Sequence, residues 1–216
     1  VASIMALLQA NPKVNVIISD DGLQHATLKR WPAREGGRDI ELVLRDDRGE
    51  GNRMLLPAGP LREHIERARD FTISTNSDTG PLFMSGSPHI VTSTIVGRCY
   101  QLNHPEVTAD LADFKEQSIT AAAGLGNPQK FFGLLAKLGL HIERLPLPDH
   151  YDFKVNPLTQ VRSDVILITE KDAVKCRLFE SYRQDTRIWV VPVEIKLPQE
   201  FIDMLVDILN RPTPQL

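Results

Sequence analysis

Cysteine is almost missing from these 216 residues: there are two, Cys99 and Cys176, far apart and without a neighbouring Cys/His cluster. That argues against a disulfide framework and a zinc site, and it fits free thiols in a reducing cytosol. No stretch approaches the roughly 20 apolar residues needed to cross a bilayer. The longest uncharged segment, Thr79 to Gly97, is broken by prolines, glycines and serines. A basic excess is lacking too: Lys+Arg number 25 against Asp+Glu 28, a formal charge of -3. Without a broad positive field, nucleic acid is not an expected partner. There is no internal repeat and no low-complexity tract. What is there is 42% hydrophobic residues, enough for one good core or two small ones. The chain opens on Val1 rather than Met, already inside an apolar-periodic stretch (Val1, Ile4, Leu7, Leu8) with no signal-peptide charge pattern. The expectation is that the natural N-terminus lies upstream.

The periodicity predicts an alternation of strands and helices. Val14 to Ser19 is a β-branched run that reads as a buried strand, followed at once by two acids and a glycine. Residues 39–44 predict a second strand, 61–69 a charged helix led by Pro60, and 71–75 a third strand. In that helix Glu66, Arg67, Arg69 and Asp70 read as a solvated face. The Val/Ile/Thr-rich stretch 89–102 has no helix between its halves and predicts a two-stranded antiparallel ribbon. Beyond it, strands at 118–123, 141–145, 165–169 and 187–193 alternate with helices at 128–138, 174–179 and 198–209, the pattern of a parallel sheet. The expected class is α/β: a domain over residues 1–88, a ribbon connector over 89–103 and a smaller α/β domain over 104–216. The Pro/Gly/Ser-rich segment at 79–88 is the nearest thing to a linker.

Five motifs carry chemistry. Asp20 and Asp21 place two carboxylates where a parallel strand is expected to end, the usual ligand edge of such sheets, and can hold Mg2+ directly or through water. Taken alone, the pair reads first as an Asp-Gly turn capped by a solvated acid, since such turns are common. His25, one short loop on, adds a third polar group, and the trio equally suits a metal hydrolase. In Leu56-Pro57-Ala58-Gly59-Pro60-Leu61-Arg62-Glu63 a rigid turn delivers an Arg-Glu pair: Arg62 can clamp a phosphate and Glu63 orient it, or the two simply start a helix. Gly124-Leu125-Gly126-Asn127-Pro128 opens a helix, with Asn127 as cap and Pro128 at its first position, as an anion-binding end or a plain tight turn. Asp149-His150-Tyr151-Asp152-Phe153 sets a histidine between acids after two prolines, suited to proton handling or to a solvated surface. In Thr169-Glu170-Lys171-Asp172, Thr169 and Asp172 fit a capping box, and Lys171 calls for a bound anion or a salt bridge. No role is assigned to His64, His89, His104 or His141.

These motifs, in this order and including Phe131-Phe132 and Ala173-Val174-Lys175, resemble the tetraacyldisaccharide 4'-kinase family, the lipid A 4'-kinases of Gram-negative bacteria. The resemblance spans essentially the whole chain. It implies a P-loop-kinase-like parallel sheet, present in part, and a second α/β domain joined to it by the ribbon. The activity it implies is transfer of the ATP γ-phosphate to the 4'-hydroxyl of a tetraacyldisaccharide 1-phosphate, at the cytoplasmic side of the bacterial inner membrane. The implied cofactors are ATP and Mg2+, and the implied partner is the glycolipid precursor. Asp20, Asp21 and His25 match the family's Walker B-like element, with Mg2+ at the two carboxylates. His150 matches the partner of a catalytic aspartate, and Arg62 and Glu63 match positions near the active site. No Gly-x-x-x-x-Gly-Lys-Ser/Thr loop occurs in the sequence. That loop, the aspartate partner and a membrane-anchoring helix are expected outside these residues, so the chain alone is expected to be inactive. On this reading Asp20, Asp21 and His150 converge on a cleft between the domains. A metal-dependent phosphohydrolase and a non-catalytic lipid-binding module are the rival readings.

Overall fold

The computed structural model describes residues 2–45, 50–74 and 87–212. In chain order its elements are α1 (Ala2–Ala10), β1 (Leu42–Arg45), β2 (Phe71–Ser74), β3 (His89–Val91), β4 (Ser93–Val96), β5 (Cys99–Gln101), β6 (Thr108–Ala109) and β7 (Ile119–Ala123). There follow α2 (Pro128–Lys137), β8 (Glu143–Pro146), β9 (Val165–Thr169), α3 (Glu170–Cys176), α4 (Glu180–Arg183), β10 (Ile188–Val191), β11 (Val193–Lys196) and α5 (Gln199–Leu209). The protein is mixed α/β with parallel sheets, as the alternation predicts. It divides into two compact units, residues 1–93 with 195–216, and residues 94–194. The C-terminal segment thus clusters with the first unit, whereas the sequence pattern groups it with the second.

In the first unit β1, β2 and β3 form a parallel sheet in that order, with Leu42 opposite Phe71 and Thr72 opposite His89. All four residues of β2 are buried, as the central strand of a parallel sheet covered on both faces requires. Phe71 meets Phe201 of α5 edge to face at 5.0 Å, and Ile73 and Ile208 complete this small core. The second unit holds the larger sheet, β6-β5-β10-β9-β7-β8, in which β10, β9, β7 and β8 run parallel while β5 and β6 add an antiparallel edge. Alternate side chains feed two layers. Ile119, Ala121, Ala123 and Leu167 pack with Phe131, Phe132 and Leu135 of α2. Ala122, Ile166 and Ile168 pack with Phe153, Leu158 and Tyr182.

Several expectations are corrected. Val14 to Ser19 is not a strand: it is irregular, and Ile18 is 94% exposed. A β-branched run becomes a strand only where a neighbouring strand takes its N–H and C=O groups; here the Val14 amide turns back onto the Asn11 carbonyl at 3.1 Å, and among the described residues no strand pairs with the run. Residues 61–69 do not form a helix. The Leu61 carbonyl, which would accept from Ile65, instead accepts from the Leu56 amide at 2.8 Å, and the Arg69 guanidinium takes the carbonyls of Ile65 and Arg67. Nor is the face solvated, since Arg69 and Asp70 are buried. The two halves of 89–102 do not pair with each other: β3 joins β2, β5 joins β10 and β6, and β4 pairs with β11 in a separate two-stranded sheet. Residues 79–86 of the expected linker, and Thr75, lie outside the described residues.

Candidate functional site

In the first unit the Asp-Asp-Gly turn is built by Asp21, whose φ of 52° is left-handed, a conformation Asp tolerates better than most side chains. Asp21 leads a 3-10 turn, Gly22–Gln24, closed by the His25 amide on the Gly22 carbonyl at 3.1 Å. A Cβ on Gly22 would lie 3.0 Å from the Ser19 side chain, a close contact that the exposed serine would have to yield to. Forty-one residues on, the cis-proline loop 56–61 is clipped by the Leu61 amide on the Met54 carbonyl at 3.1 Å. It presents Arg62, whose Nη1 donates to Asp21 Oδ2 at 2.9 Å and to Gln24 Oε1 at 3.3 Å. The structure thus joins two motifs that the sequence merely put in order. Glu63 faces away from that pair to Arg67, at 3.0 Å. Asp20 and His25 are exposed, and among the described residues neither side chain has a hydrogen-bond or ion-pair partner.

Behind this turn lies a network that sequence reading missed. Glu41, 4% exposed at the entrance to β1, pairs with Arg30 Nε at 3.0 Å and accepts from Arg34 Nη1, and Arg67 Nη2 lies 3.8 Å from it. Arg30 also donates to the Gly22 carbonyl at 2.9 Å, so a buried acid is linked through one arginine to the Asp21 turn and through another to Glu63. Buried Asp70 takes the Arg34 and Glu41 amides at 2.6 and 2.8 Å. The available signal was an acid just ahead of a strand within an arginine-rich stretch.

In the second unit Asn127 and Pro128 start α2 as expected, although the Asn127 side chain makes no capping bond. Thr169 caps α3: its Oγ1 accepts the Asp172 amide at 3.2 Å and donates to Asp172 Oδ2 at 2.8 Å. Lys171 is exposed and, among the described residues, without an ion pair, so the salt-bridge alternative is not what the structure shows. His150 has φ 56° and a side chain 74% exposed; Asp149 Oδ1 accepts its amide at 2.9 Å, and Asp149 Oδ2 lies 3.9 Å from Nε2. Asp20, Asp21, His25, Arg62 and Glu63 therefore belong to one unit and His150 and Lys171 to the other. Both cysteine thiols are buried, and burial pushes each up to about 12.

Among the described residues there is no group of three or more His, Cys, Asp or Glu side chains that could hold a metal ion. Mg2+ does not need one: it characteristically binds one or two carboxylates and completes its shell with water and substrate phosphates. Asp20, unpartnered, and Asp21, engaged through a single oxygen, fit that demand. No helix among the described residues is long and apolar enough to cross a membrane.

Parallel sheets flanked by helices, with polar turns and loops between the elements, define an α/β protein. Comparison with known proteins narrows the class to a family. The model of the tetraacyldisaccharide-1-P 4'-kinase family matches residues 1–210, and the chain belongs to this family. It is 51% identical over 224 residues to the tetraacyldisaccharide 4'-kinase of Polynucleobacter asymbioticus, covering 98% of this chain and 61% of that one. It is 47% identical to that of Janthinobacterium sp. (strain Marseille), covering 97% and 59%. Among solved structures it is similar to an "apo" form of LpxK from Aquifex aeolicus in complex with ATP, at TM-score 0.59 and 26% identity, over 87% of this chain and 55% of that one. The chain thus spans about three fifths of the length of the curated relatives it matches.

Proposed function

We propose that this chain is part of a kinase that transfers the ATP γ-phosphate to the 4'-hydroxyl of a tetraacyldisaccharide 1-phosphate, an intermediate of lipid A. The observation that carries the reading is the Arg62–Asp21 contact at 2.9 Å, which unites two family motifs in one exposed polar turn. In the transfer the bond between the γ-phosphorus and the β,γ-bridging oxygen breaks, a bond from phosphorus to the sugar oxygen forms, ADP leaves, and the hydroxyl proton passes to a base. Mg2+, when bound, neutralises the charge on the phosphates. Asp20 and Asp21 are the residues to hold it, and Arg62 and His25 flank the phosphates. Glu63 holds Arg67, and exposed Lys171 is available to an anionic group of either substrate. His150, exposed beside Asp149, supports the carboxylate base that takes the proton. The site of action is the cytoplasmic side of the inner membrane, where the glycolipid is presented.

The Gly-x-x-x-x-Gly-Lys-Ser/Thr loop that cradles ATP phosphates does not occur in these 216 residues. The purified chain is therefore expected to give no ATP-dependent phosphorylation of the disaccharide, whereas the same residues within a polypeptide of the relatives' length give phosphorylated product. No turnover by the longer polypeptide overturns the kinase reading, and turnover by the chain alone overturns the requirement for that loop.

A further inference from the structure

We propose that α3 positions the His150 loop: Asp172 and Lys175, one helical turn apart, hold residues 148–153 so that the imidazole is presented to solvent. The proposal rests on the kinase reading only for what His150 does once presented. Thr169-Glu170-Lys171-Asp172-Ala173-Val174-Lys175 is otherwise a motif without a task beyond starting a helix.

Asp172 is fully buried, and its Oδ2 accepts the Gly124 amide at 3.1 Å in addition to the Thr169 hydroxyl. The turn after β7 is thereby tied to the first turn of α3. The Gly124 N–H, a candidate for holding an external anion, is already used by an internal carboxylate. A Cβ on Gly124 would lie 3.1 Å from Asp172 Oδ1, 3.1 Å from the Tyr151 Cβ and 3.5 Å from the Pro148 carbonyl. A methyl group at Gly124 would therefore press on both the acid and the His150 loop, and one of them would have to give. Asp172 Oδ1 has no hydrogen-bond partner among the described residues, so a buried acceptor faces that contact directly.

Lys175 supplies the second tie. Its Nζ donates to the Tyr151 carbonyl at 2.8 Å, next to His150 in sequence. Downstream, the Tyr182 hydroxyl reaches the carbonyls of Phe153 and Val155 at 3.0 and 3.2 Å. Within this loop both His150 and Phe153 are left-handed, with φ of 56° and 59°. Residues with side chains keep such angles only where the surroundings over-determine them. Asp172 behind Gly124 and Lys175 on the carbonyl after His150 restrain the His150 end from α3, while Tyr182 of α4 holds the Phe153 end. Asp172 and Lys175 are positioning residues, and neither is required to touch substrate.

Amide hydrogen exchange on the 216-residue chain tests this with Lys175→Met and Asp172→Asn, taking the exposed Lys171→Met as control. Both test variants are expected to speed exchange at Tyr151 and Lys154 by roughly tenfold or more while β7 and β9 keep their protection. Exchange unchanged in the loop, or raised equally through the whole unit, overturns the proposal. In a full-length family chain carrying these residues, Lys175→Met should lower turnover, and adding it to His150→Ala should lower turnover no further. Additive losses overturn it. If His150→Ala itself leaves turnover unaltered, the kinase role of His150 falls, and the exchange measurement still decides whether α3 positions the loop.

Discussion

Replacing Glu41 by Gln keeps the side chain's shape and removes the charge on which three arginines converge. The carboxylate is 4% exposed, with Arg30 at 3.0 Å, Arg34 in a direct hydrogen bond and Arg67 at 3.8 Å. Breaking a buried ion pair from one side costs about 3–5 kcal/mol. Two features reduce that here: the arginines remain between 19% and 30% exposed, so water solvates part of the orphaned charge, and the amide oxygen still accepts one hydrogen bond. We expect a loss of about 2 kcal/mol in the first unit. The chain offers a separate reporter for each unit, because Trp31 lies in the first and Trp189, against Phe114 at 5.0 Å, in the second. In a Trp189→Phe background, urea unfolding followed by Trp31 fluorescence should shift down by about 1 M, taking a slope of about 2 kcal/mol per molar. In a Trp31→Phe background the Trp189 transition should stay where it was. A Trp31 shift below about 0.3 M, or an equal shift of both transitions, refutes the claim that Glu41 is the hub of the first unit.

Further outcomes follow from the same geometry. His150→Ala, made in a full-length family chain, should lower turnover about 10- to 100-fold while leaving ATP affinity nearly unchanged, and unchanged turnover removes His150 from the mechanism. Gly59→Ala would put a Cβ 2.1 Å from Asn52 Oδ1 and 2.4 Å from the Met54 carbonyl, so it should destabilise the Arg62 loop by about 2 kcal/mol; a urea midpoint equal to that of the parent chain would count against the loop geometry. The thiols of Cys99 and Cys176 are held up at about 12 by burial against 9.0 for an ordinary thiol. Their ionisation is thus easier in the unfolded chain, and stability should fall with rising pH from about 9, by roughly 1.4 kcal/mol per pH unit for each thiol. Chemical denaturation between pH 8 and pH 10.5 checks this, and a Cys99→Ala, Cys176→Ala chain should lose that slope.

The centre of the second unit was legible from sequence because β7 and β9 are consecutive apolar runs, each followed by a helix with its own start signal. Thr169 with Asp172 and Asn127 with Pro128 are local instructions, and a local instruction survives whatever packs around it. The order of the five motifs carried the family, because such an order is a property of the chain rather than of its conformation. Val14 to Ser19 shows the limit: β-branched composition proposes a strand, yet a strand exists only through the hydrogen bonds of a neighbour, which the run itself cannot specify. Residues 61–69 fail for a related reason, since the Leu61 carbonyl had a partner across the Pro-Gly loop that no helical periodicity reveals.

Residue order alone carries the α/β class, the family, and the residue types of the Asp20–Asp21 turn and the histidine loop. Tertiary structure alone decided that Arg62 meets Asp21, that Glu41 links the Asp21 turn to Glu63, and that Asp172 stands behind Gly124 and, through it, behind the loop of His150. These contacts join residues tens of positions apart. Their strength depends on burial and on ångström distances, and neither quantity is written along the chain.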